Sequence, residues 1–280
     1  MTERLVRSSL AAAVGLLAIS VAATPVAAQD ADEAATRRAQ ESVPAGPVPH
    51  RPDGKPDLSG FWNTNAQITN MLEEHPAGYA IRASKSVIVD TPDKKLPYQP
   101  WALKERNWRR QPEQSHFDPE GHCFLSGTPR QMYVMPYQFI QTADNIAILY
   151  EYIHAVRIIP LTLKTHAPDK IRLWEGSSLG HWEGDTLVVE TSNNNGKLWL
   201  ELSGDFLSDA AVVTERFKMT DSNTMNYRAT INDPKVYTRS WTMEFPITRL
   251  TANDMEILES ACHEDNRDKE RLANVGNLKK

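Results

Sequence analysis

The chain has 280 residues, of which 40% are hydrophobic and 24% charged, and its formal net charge is -5. This is the composition of an ordinary globular protein, so collagen-like, coiled-coil and wholly disordered chains are excluded. The 31 basic residues do not exceed the 36 acidic ones. The chain therefore lacks the basic surplus typical of nucleic-acid binding, and we expect no nucleic-acid partner.

The N-terminus has the pattern of a secretory signal peptide. Arg4 and Arg7 precede an apolar stretch over residues 10–23, and small residues up to Ala28 match a signal-peptidase site. We predict a signal peptide over residues 1–28 and a periplasmic or secreted protein, with an uncleaved anchor as the alternative. Because no later stretch reaches about 18 apolar residues, we expect no stable membrane insertion.

The remaining chain divides into a leader and one domain. Residues 29–57 are rich in alanine, proline and charge without periodicity, which predicts a disordered leader or linker. A single domain is predicted over residues 58–280. Its first part contains a strand-like run at 86–89 and a charged stretch at 101–110 that predicts a helix.

Beyond residue 137 the chain consists of short β-rich runs separated by turn clusters. Apolar and polar residues alternate with period two, and turns recur every 8–12 residues. The predicted strand regions are 145–159, 180–190 with a turn at 183–185, 211–219, 225–231, 237–245 and 255–263. This pattern is typical of an antiparallel meander with one buried face, and the number of strands is enough to close a barrel.

The motif Gly60-Phe61-Trp62 opens the domain. It resembles the first strand of lipocalin-like barrels, in which the tryptophan plugs the closed end. Together with the downstream strands it predicts a mainly β fold, an antiparallel lipocalin-like β-barrel with N-terminal loop and short helix decorations.

At a longer scale the chain resembles an uncharacterised family of exported bacterial proteins. The stretches that carry the resemblance are Asp118–Cys123, Leu149–His154, Trp182–Val189, Asp233–Arg239 and Ala261–Glu264. The resemblance implies export and kinship, and no established activity. Leu207 and Val212 stand where histidines are usual, so a site built on those histidines is lost or altered in this chain.

The chain has two cysteines, Cys123 and Cys262. In an oxidising compartment two thiols most simply form one disulfide, which is our prediction. Free buried thiols are one alternative. A zinc site is another, because His122 and His263 neighbour the two cysteines.

Charged residues on predicted inward faces are the main functional signal. Glu215 alternates with apolar residues of its strand, and Arg239 alternates with Tyr237 and Trp241. Charged side chains are seldom buried unless paired, so we expect Glu215 and Arg239 to point into the barrel and to interact directly or through a ligand. Glu259 is expected to join them. The alternatives are a purely structural ion pair and a polar cluster at the base of an apolar ligand cavity.

A second group comprises Glu151, His154 and Arg157, which a single extended strand cannot turn to one face. Nearby Arg172 could stack on an aromatic ring or close the barrel. The Gly-x-Ser-x-Gly pattern at 176–180 lacks the strand–turn–helix context of a nucleophile elbow and predicts a hairpin loop. Nucleotide-binding and zinc-protease motifs do not occur, so we predict no cofactor.

These observations predict an exported protein whose barrel cavity binds an aromatic or carboxylated small molecule. It would convert that molecule by cofactor-independent lyase, isomerase or hydratase chemistry, with Glu215 or His154 as general base and Arg239 stabilising a carboxylate or oxyanion. The predicted ligand-binding residues are Tyr227, Tyr237, Trp241, Glu259, Glu151, Arg157 and Arg172. A non-catalytic carrier is the alternative, a Cys/His metal-binding protein is a third possibility, and the oligomeric state stays open.

Overall fold

The structure is a computed structural model and describes residues 44–64, 71–77, 83–251, 255–260 and 262. The predicted signal peptide, residues 1–28, lies outside the described residues, as does the predicted leader up to residue 43. The described residues form one α-helix, nine β-strands and several short 3-10 turns. These elements are β1 (Gly60–Thr64), α1 (Pro100–Arg109), β2 (Tyr137–Gln141), β3 (Asn145–Tyr150), β4 (Val156–Pro160), β5 (Ser177–Glu183), β6 (Thr186–Ser192), β7 (Val212–Met219), β8 (Thr224–Asn232) and β9 (Trp241–Leu250).

The nine strands form one antiparallel sheet in the order β4-β3-β2-β1-β9-β8-β7-β6-β5. The sheet curls into a nearly closed barrel, in which the edge strands β4 and β5 come together at a seam. Gly180 on β5 allows this approach, because an added Cβ would lie 2.7 Å from the Ile159 side chain of β4. The predicted antiparallel barrel is confirmed, while its likeness to lipocalins in particular stays a prediction.

Most predicted elements are confirmed close to their expected bounds. Helix α1 begins one residue before the predicted start, and the strands over 145–159, 211–219 and 225–231 are present. The β5–β6 hairpin pairs Glu183 with Thr186, so its turn lies at the predicted position. The run 86–89 contributes one antiparallel bridge to β9, between Ile88 and Met243, instead of a strand.

Two strand predictions are wrong. The strand expected over 237–245 begins only at Trp241, because the carbonyl of Asp233 accepts hydrogen bonds from the amides of Val236 and Tyr237 and turns the chain there. The described residues 255–260 form no strand. Residues 237–240 make only an isolated bridge, between Tyr237 and Tyr98, and the described residues 255–260 pair with no strand.

The described part of the predicted leader, residues 44–57, contacts the barrel. Gly46 and Ser222 exchange hydrogen bonds of 2.8 and 2.9 Å, and Arg51 donates to the carbonyl of Gln141 at 2.8 Å. An ordered segment therefore lies ahead of the predicted domain start at residue 58.

Aromatic side chains fill the centre of the barrel. The rings of Phe139, Phe217, Tyr227 and Phe245 follow one another at centroid distances of 5.6, 5.1 and 4.9 Å. Each of these side chains is buried, and such aromatic contacts add to the stabilisation from burial alone. Trp62 is also fully buried, with its indole N–H donating to the carbonyl of Leu58 at 2.8 Å.

Cys123 and Cys262 are joined by a disulfide, with 5.6 Å between their Cα atoms. The predicted disulfide is confirmed, and it uses both sulfur atoms that the alternative zinc site required. No helix within the described residues is both long and apolar enough to cross a bilayer.

Candidate functional site

A buried ion pair between Arg157 and Glu215 spans the seam of the barrel. Arg157 projects inward from β4, and Glu215 projects inward from β7; both are at most 2% exposed. The guanidinium contacts both carboxylate oxygens, with Nη1 and Oε1 at 3.1 Å. Its remaining bonds reach the hydroxyls of Ser178 on β5 at 3.0 Å and Thr191 on β6 at 2.7 Å. The Tyr227 hydroxyl completes the cluster by donating to Glu215 Oε1 at 2.9 Å.

The charge of Arg157 is held in place by this pairing. Burial opposes the charged guanidinium, but Glu215, Tyr150 and Tyr227 together outweigh that cost, and the net effect raises the pKa of Arg157. Burial, followed by the neighbouring Glu215 carboxylate, raises the pKa of Tyr227 well above its usual range. The cluster is thus a fixed ion pair flanked by a neutral phenol.

The predicted pairing of Glu215 with Arg239 is wrong, although the predicted inward position of Glu215 is confirmed. Arg239 lies in the bend before β9, is exposed, and donates to the backbone carbonyl of Asp90. Because β9 begins at Trp241, the alternation that placed Arg239 inward does not apply to it. Arg157, predicted as a ligand-binding residue, takes the position expected of Arg239.

The carboxyl group of Glu175 lies beside the ion pair and has no side-chain hydrogen-bond partner. Glu175 precedes β5, and both of its carboxylate oxygens are buried without a hydrogen bond of ordinary geometry. Burial raises its pKa to about 7, against the opposing attraction of Arg157 and the Gly127 amide, while Glu215 adds to the rise. The residue as a whole is half-buried, so its stem reaches the surface while the carboxyl points inward.

Two tyrosines border the same region. The Tyr137 hydroxyl is buried and has no hydrogen-bond partner, and the Tyr150 hydroxyl donates only to the sulfur of Met132, at 3.3 Å. Their rings lie 5.7 Å apart. Burial raises the pKa of both phenols, so both are neutral at physiological pH. Neutral phenols can donate to or accept from a bound molecule.

A loop covers this end of the interior. All residues of 126–133, which we call the roof segment, are buried, although loops usually run over the surface. Its Met132 sulfur accepts the hydrogen bond from Tyr150. Its Gly127 packs closely on the segment before β5, since an added Cβ there would lie 2.6 Å from the Trp174 carbonyl. The hydroxyls of Ser126 and Thr128 are buried without partners. Such groups are rare in folded proteins and are commonly satisfied by water or a ligand.

Next to the roof segment is a narrow crevice that leaves no room for a water molecule. Its lining includes Ser126 and Trp174, which neighbour Gly127 and Glu175 in the chain. One wall is the buried Arg130, which holds Asp118 at 2.8 Å and Glu120 at 2.6 Å. The crevice therefore runs beside the site along two of the segments that form it.

The structure separates the three residues of the 151–157 group. A tight turn at 152–154, with φ of 56° at Ile153 and 50° at His154, divides β3 from β4. Glu151 accepts from the amide of Leu258 at 3.2 Å, and the exposed His154 accepts from the amide of Ser260 at 3.2 Å. These two residues thus hold the segment 255–260, whereas Arg157 faces the interior.

The other predicted site residues also lie elsewhere. Tyr237 donates to the carbonyl of Phe206 at 2.9 Å and packs 5.5 Å from Trp241, in an aromatic cluster apart from Glu215. Arg172 is exposed and donates to the carbonyl of Asp209, and Glu259 is exposed in the segment 255–260. Of the predicted ligand-binding residues, Tyr227 and Arg157 are brought together with Glu215.

Sequence reasoning missed Glu175, Ser178 and Thr191. Ser178 belongs to the Gly-x-Ser-x-Gly pattern, and its hydroxyl accepts from Arg157. The hairpin loop predicted for this pattern is wrong, because Ser177 to Gly180 belong to strand β5. Glu175 stands in an irregular stretch without periodicity, so no sequence signal could have indicated its burial.

Within the described residues, no group of three or more His, Cys, Asp or Glu side chains is placed to hold a metal ion. The chain matches no protein-family model, no curated protein and no solved structure. The proposed kinship with exported bacterial proteins therefore stays a prediction. The fold itself, a nearly closed β-barrel, is compatible with the binding of a small molecule.

Proposed function

We propose that this chain is an exported protein that binds a small organic molecule beneath the roof segment and converts it by cofactor-independent acid–base chemistry. The observation that carries the proposal is Glu175, a carboxyl with both oxygens buried beside a fixed ion pair and without a side-chain hydrogen-bond partner. Such a group is a candidate for function because a purely structural carboxyl is normally hydrogen bonded.

The pKa of Glu175 suits proton transfer. At a pKa of about 7 the acid and its conjugate base are both abundant at neutral pH, which is the condition for efficient general acid–base catalysis. Glu175 replaces Glu215 and His154 as the proposed proton-transfer residue. Glu215 is held by Arg157 and Tyr227, and His154 is exposed on a turn.

The neighbours of Glu175 would position the substrate. The Tyr137 and Tyr150 hydroxyls offer donors, while the Arg157–Glu215 pair supplies a fixed dipole that need not reorganise during reaction. No nucleophile or metal is required by this arrangement. Reactions in which a proton is removed from one atom and returned to another, of the lyase, isomerase or hydratase type, fit it best.

Export is proposed from two independent observations. The first 28 residues have the charge, apolar stretch and cleavage pattern of a secretory signal. The disulfide between Cys123 and Cys262 is typical of proteins in oxidising compartments.

The test is a panel of small amines, alcohols, phenols and carboxylates incubated with the protein in D₂O. Binding is followed by thermal shift and turnover by deuterium incorporation at carbon, because N–H and O–H protons exchange with D₂O without a catalyst. We expect incorporation with the wild type and none with Glu175→Gln. Glu190→Gln is the matched control, since Glu190 lies on the outer face of β6 beside His166 and should behave as wild type.

Two results would contradict this function. Glu175-dependent binding without any deuterium incorporation would indicate the carrier alternative. A panel in which no compound shifts the melting temperature, together with an ordinary carboxyl titration of Glu175 by ¹³C NMR, would reject the site itself.

A further inference from the structure

We infer that the site beneath the roof segment takes a small organic cation, a molecule that presents an ammonium or amidinium group to Glu175. This inference rests on the proposed function and names the chemical class of its ligand. It follows from the balance of charges, from the hydrogen-bonding groups left unused, and from the aromatic side chains around them.

The charges of the site do not balance. Two carboxyls, Glu175 and Glu215, face a single guanidinium, Arg157. Arg157 is bound to both carboxylate oxygens of Glu215, so an ionised Glu175 has no counter-ion of its own. A bound cation would supply the missing positive charge, because buried charges are stable only when paired.

The site offers a carboxylate ligand few unused hydrogen-bond donors. Arg157 donates four hydrogen bonds, to Glu215, Ser178 and Thr191, and a further interaction joins it to the Tyr150 hydroxyl. Its capacity of five N–H donors is therefore used by the barrel wall. A second anion beside Glu175 and Glu215 would also add like-charge repulsion.

The unused groups are mainly acceptors. They comprise both oxygens of Glu175 and the side-chain carbonyl of Gln131 in the roof segment. The hydroxyls of Tyr137 and Thr128 can accept as well. An ammonium group carries three donors and no acceptor, which complements this set.

Aromatic rings lie near the same carboxyl, since the Tyr150 phenol is within electrostatic reach of Glu175. Tyr137 and Tyr150 lie 5.7 Å apart, and Phe139 lies 6.0 Å from Tyr137. The electron-rich faces of such rings attract organic cations, and the attraction is strongest where water is excluded. Ring faces and an unpaired carboxylate together favour a cation over a neutral molecule of the same size.

In the free protein the charge of Glu175 is neutralised by a proton instead of a bound cation. The titratable and charged groups that face this carboxyl are Arg157 from β4, Glu215 from β7 and Tyr150 from β3, with the Gly127 amide from the roof segment. Binding of an ammonium group favours the ionised carboxyl, so Glu175 releases its proton to solvent as the cation enters. No covalent bond forms or breaks in this exchange.

The test compares benzylammonium, benzyl alcohol and benzoate, which share a ring and differ in charge. Isothermal titration in two buffers of different ionisation enthalpy measures affinity and proton release together. We expect benzylammonium to bind most tightly, with release of about half a proton at pH 7 and an affinity about tenfold higher at pH 8 than at pH 6, as a pKa of about 7 requires.

Variants assign the effect to Glu175. Glu175→Gln should lower benzylammonium affinity by at least about tenfold and abolish its pH dependence, whereas Glu190→Gln should leave both unchanged. Circular dichroism verifies that each variant is folded. The proton release of the wild type tests the inference without any variant.

The outcomes separate this inference from the proposed function. If benzoate or benzyl alcohol binds with dependence on Glu175 and benzylammonium does not, the cation inference is wrong and the proposed function stands. If none of the three binds, the cation inference is also wrong, and the deuterium panel decides the proposed function. Benzylammonium binding without proton release would likewise contradict a site at Glu175.

Discussion

Glu215 and Glu175 are buried carboxyls of the same barrel with opposite surroundings. Glu215 lies on a central strand and is bonded to Arg157 and Tyr227, whereas Glu175 lies in an irregular segment and has no side-chain hydrogen-bond partner. The first region uses a carboxylate to hold the seam between β4 and β5 together. The second leaves a carboxyl available, at a cost in stability that a ligand can remove. The difference separates the part of the interior that maintains the fold from the part in which we propose the functional site.

The largest effect is expected from breaking the ion pair. Arg157→Met strands the Glu215 charge inside the barrel and removes the bonds to Ser178 and Thr191 across the seam. We expect a loss of about 3–5 kcal/mol in the free energy of unfolding, measured by urea denaturation at pH 7. The double variant Arg157→Met/Glu215→Met should recover much of this loss. A loss below about 1 kcal/mol would show that the pair does not maintain the seam.

Removing the disulfide tests the roof side of the barrel without touching the ion pair. Cys123 lies just before the roof segment, and its bond to Cys262 spans 139 residues of sequence. Cys123→Ser/Cys262→Ser should therefore cost about 2–4 kcal/mol, because the unfolded chain gains freedom. Reduction of the wild type should produce a similar fall in denaturant midpoint. Unchanged stability, or two titratable thiols in unreduced denatured protein, would contradict the bond.

A smaller effect is expected at Glu175, and it depends on pH. The pKa of this carboxyl in the folded protein, about 7, lies above its ordinary value of 4.5, so the folded state binds the proton more tightly. The stabilisation is complete below pH 4.5 and is lost as pH rises through 7. Glu175→Gln should remove this decline and gain about 2–3 kcal/mol over the wild type at pH 8, relative to pH 4. Parallel pH profiles for the two proteins would indicate an ordinary, solvated carboxyl.

The smallest effect is expected at Arg239, the residue first predicted to pair with Glu215. Arg239 is exposed and bonds to a backbone carbonyl, so Arg239→Met should change stability by less than about 0.5 kcal/mol. Ligand binding should also be unaffected. A loss close to that of Arg157→Met would mean that the two arginines share the pairing role.

Local periodicity was sufficient to predict most of the barrel wall. Strands β7 and β8 alternate cleanly, and the turn after Glu183 is marked by glycine and aspartate, so these elements lie close to their predicted bounds. The alternation of residues 237–245 misplaced the start of β9, because it continues through a turn that the carbonyl of Asp233 stabilises. An alternation of apolar and polar residues identifies a buried strand face only where a neighbouring strand pairs with the segment.

The candidate site was harder to predict than the wall. The inward position of Glu215 follows from its own strand, but its partner comes from β4, which is not a hydrogen-bonded neighbour of β7. Only the curvature of the whole sheet brings the Arg157 side chain into contact with Glu215. Glu175 depends on two irregular segments folding over one another, and neither has a repeating pattern.

Strand β1 occupies a position with a consequence for folding. The covalent loop closed by Cys123 and Cys262 contains β2 to β9, and β1 lies before it, yet β1 pairs with both β2 and β9. Phe61, near the start of the domain, must meet Leu250, near its end. A chain that is synthesised from its N-terminus cannot complete this barrel until its last strand has been made. The strand order itself therefore delays closure of the barrel until synthesis is nearly complete.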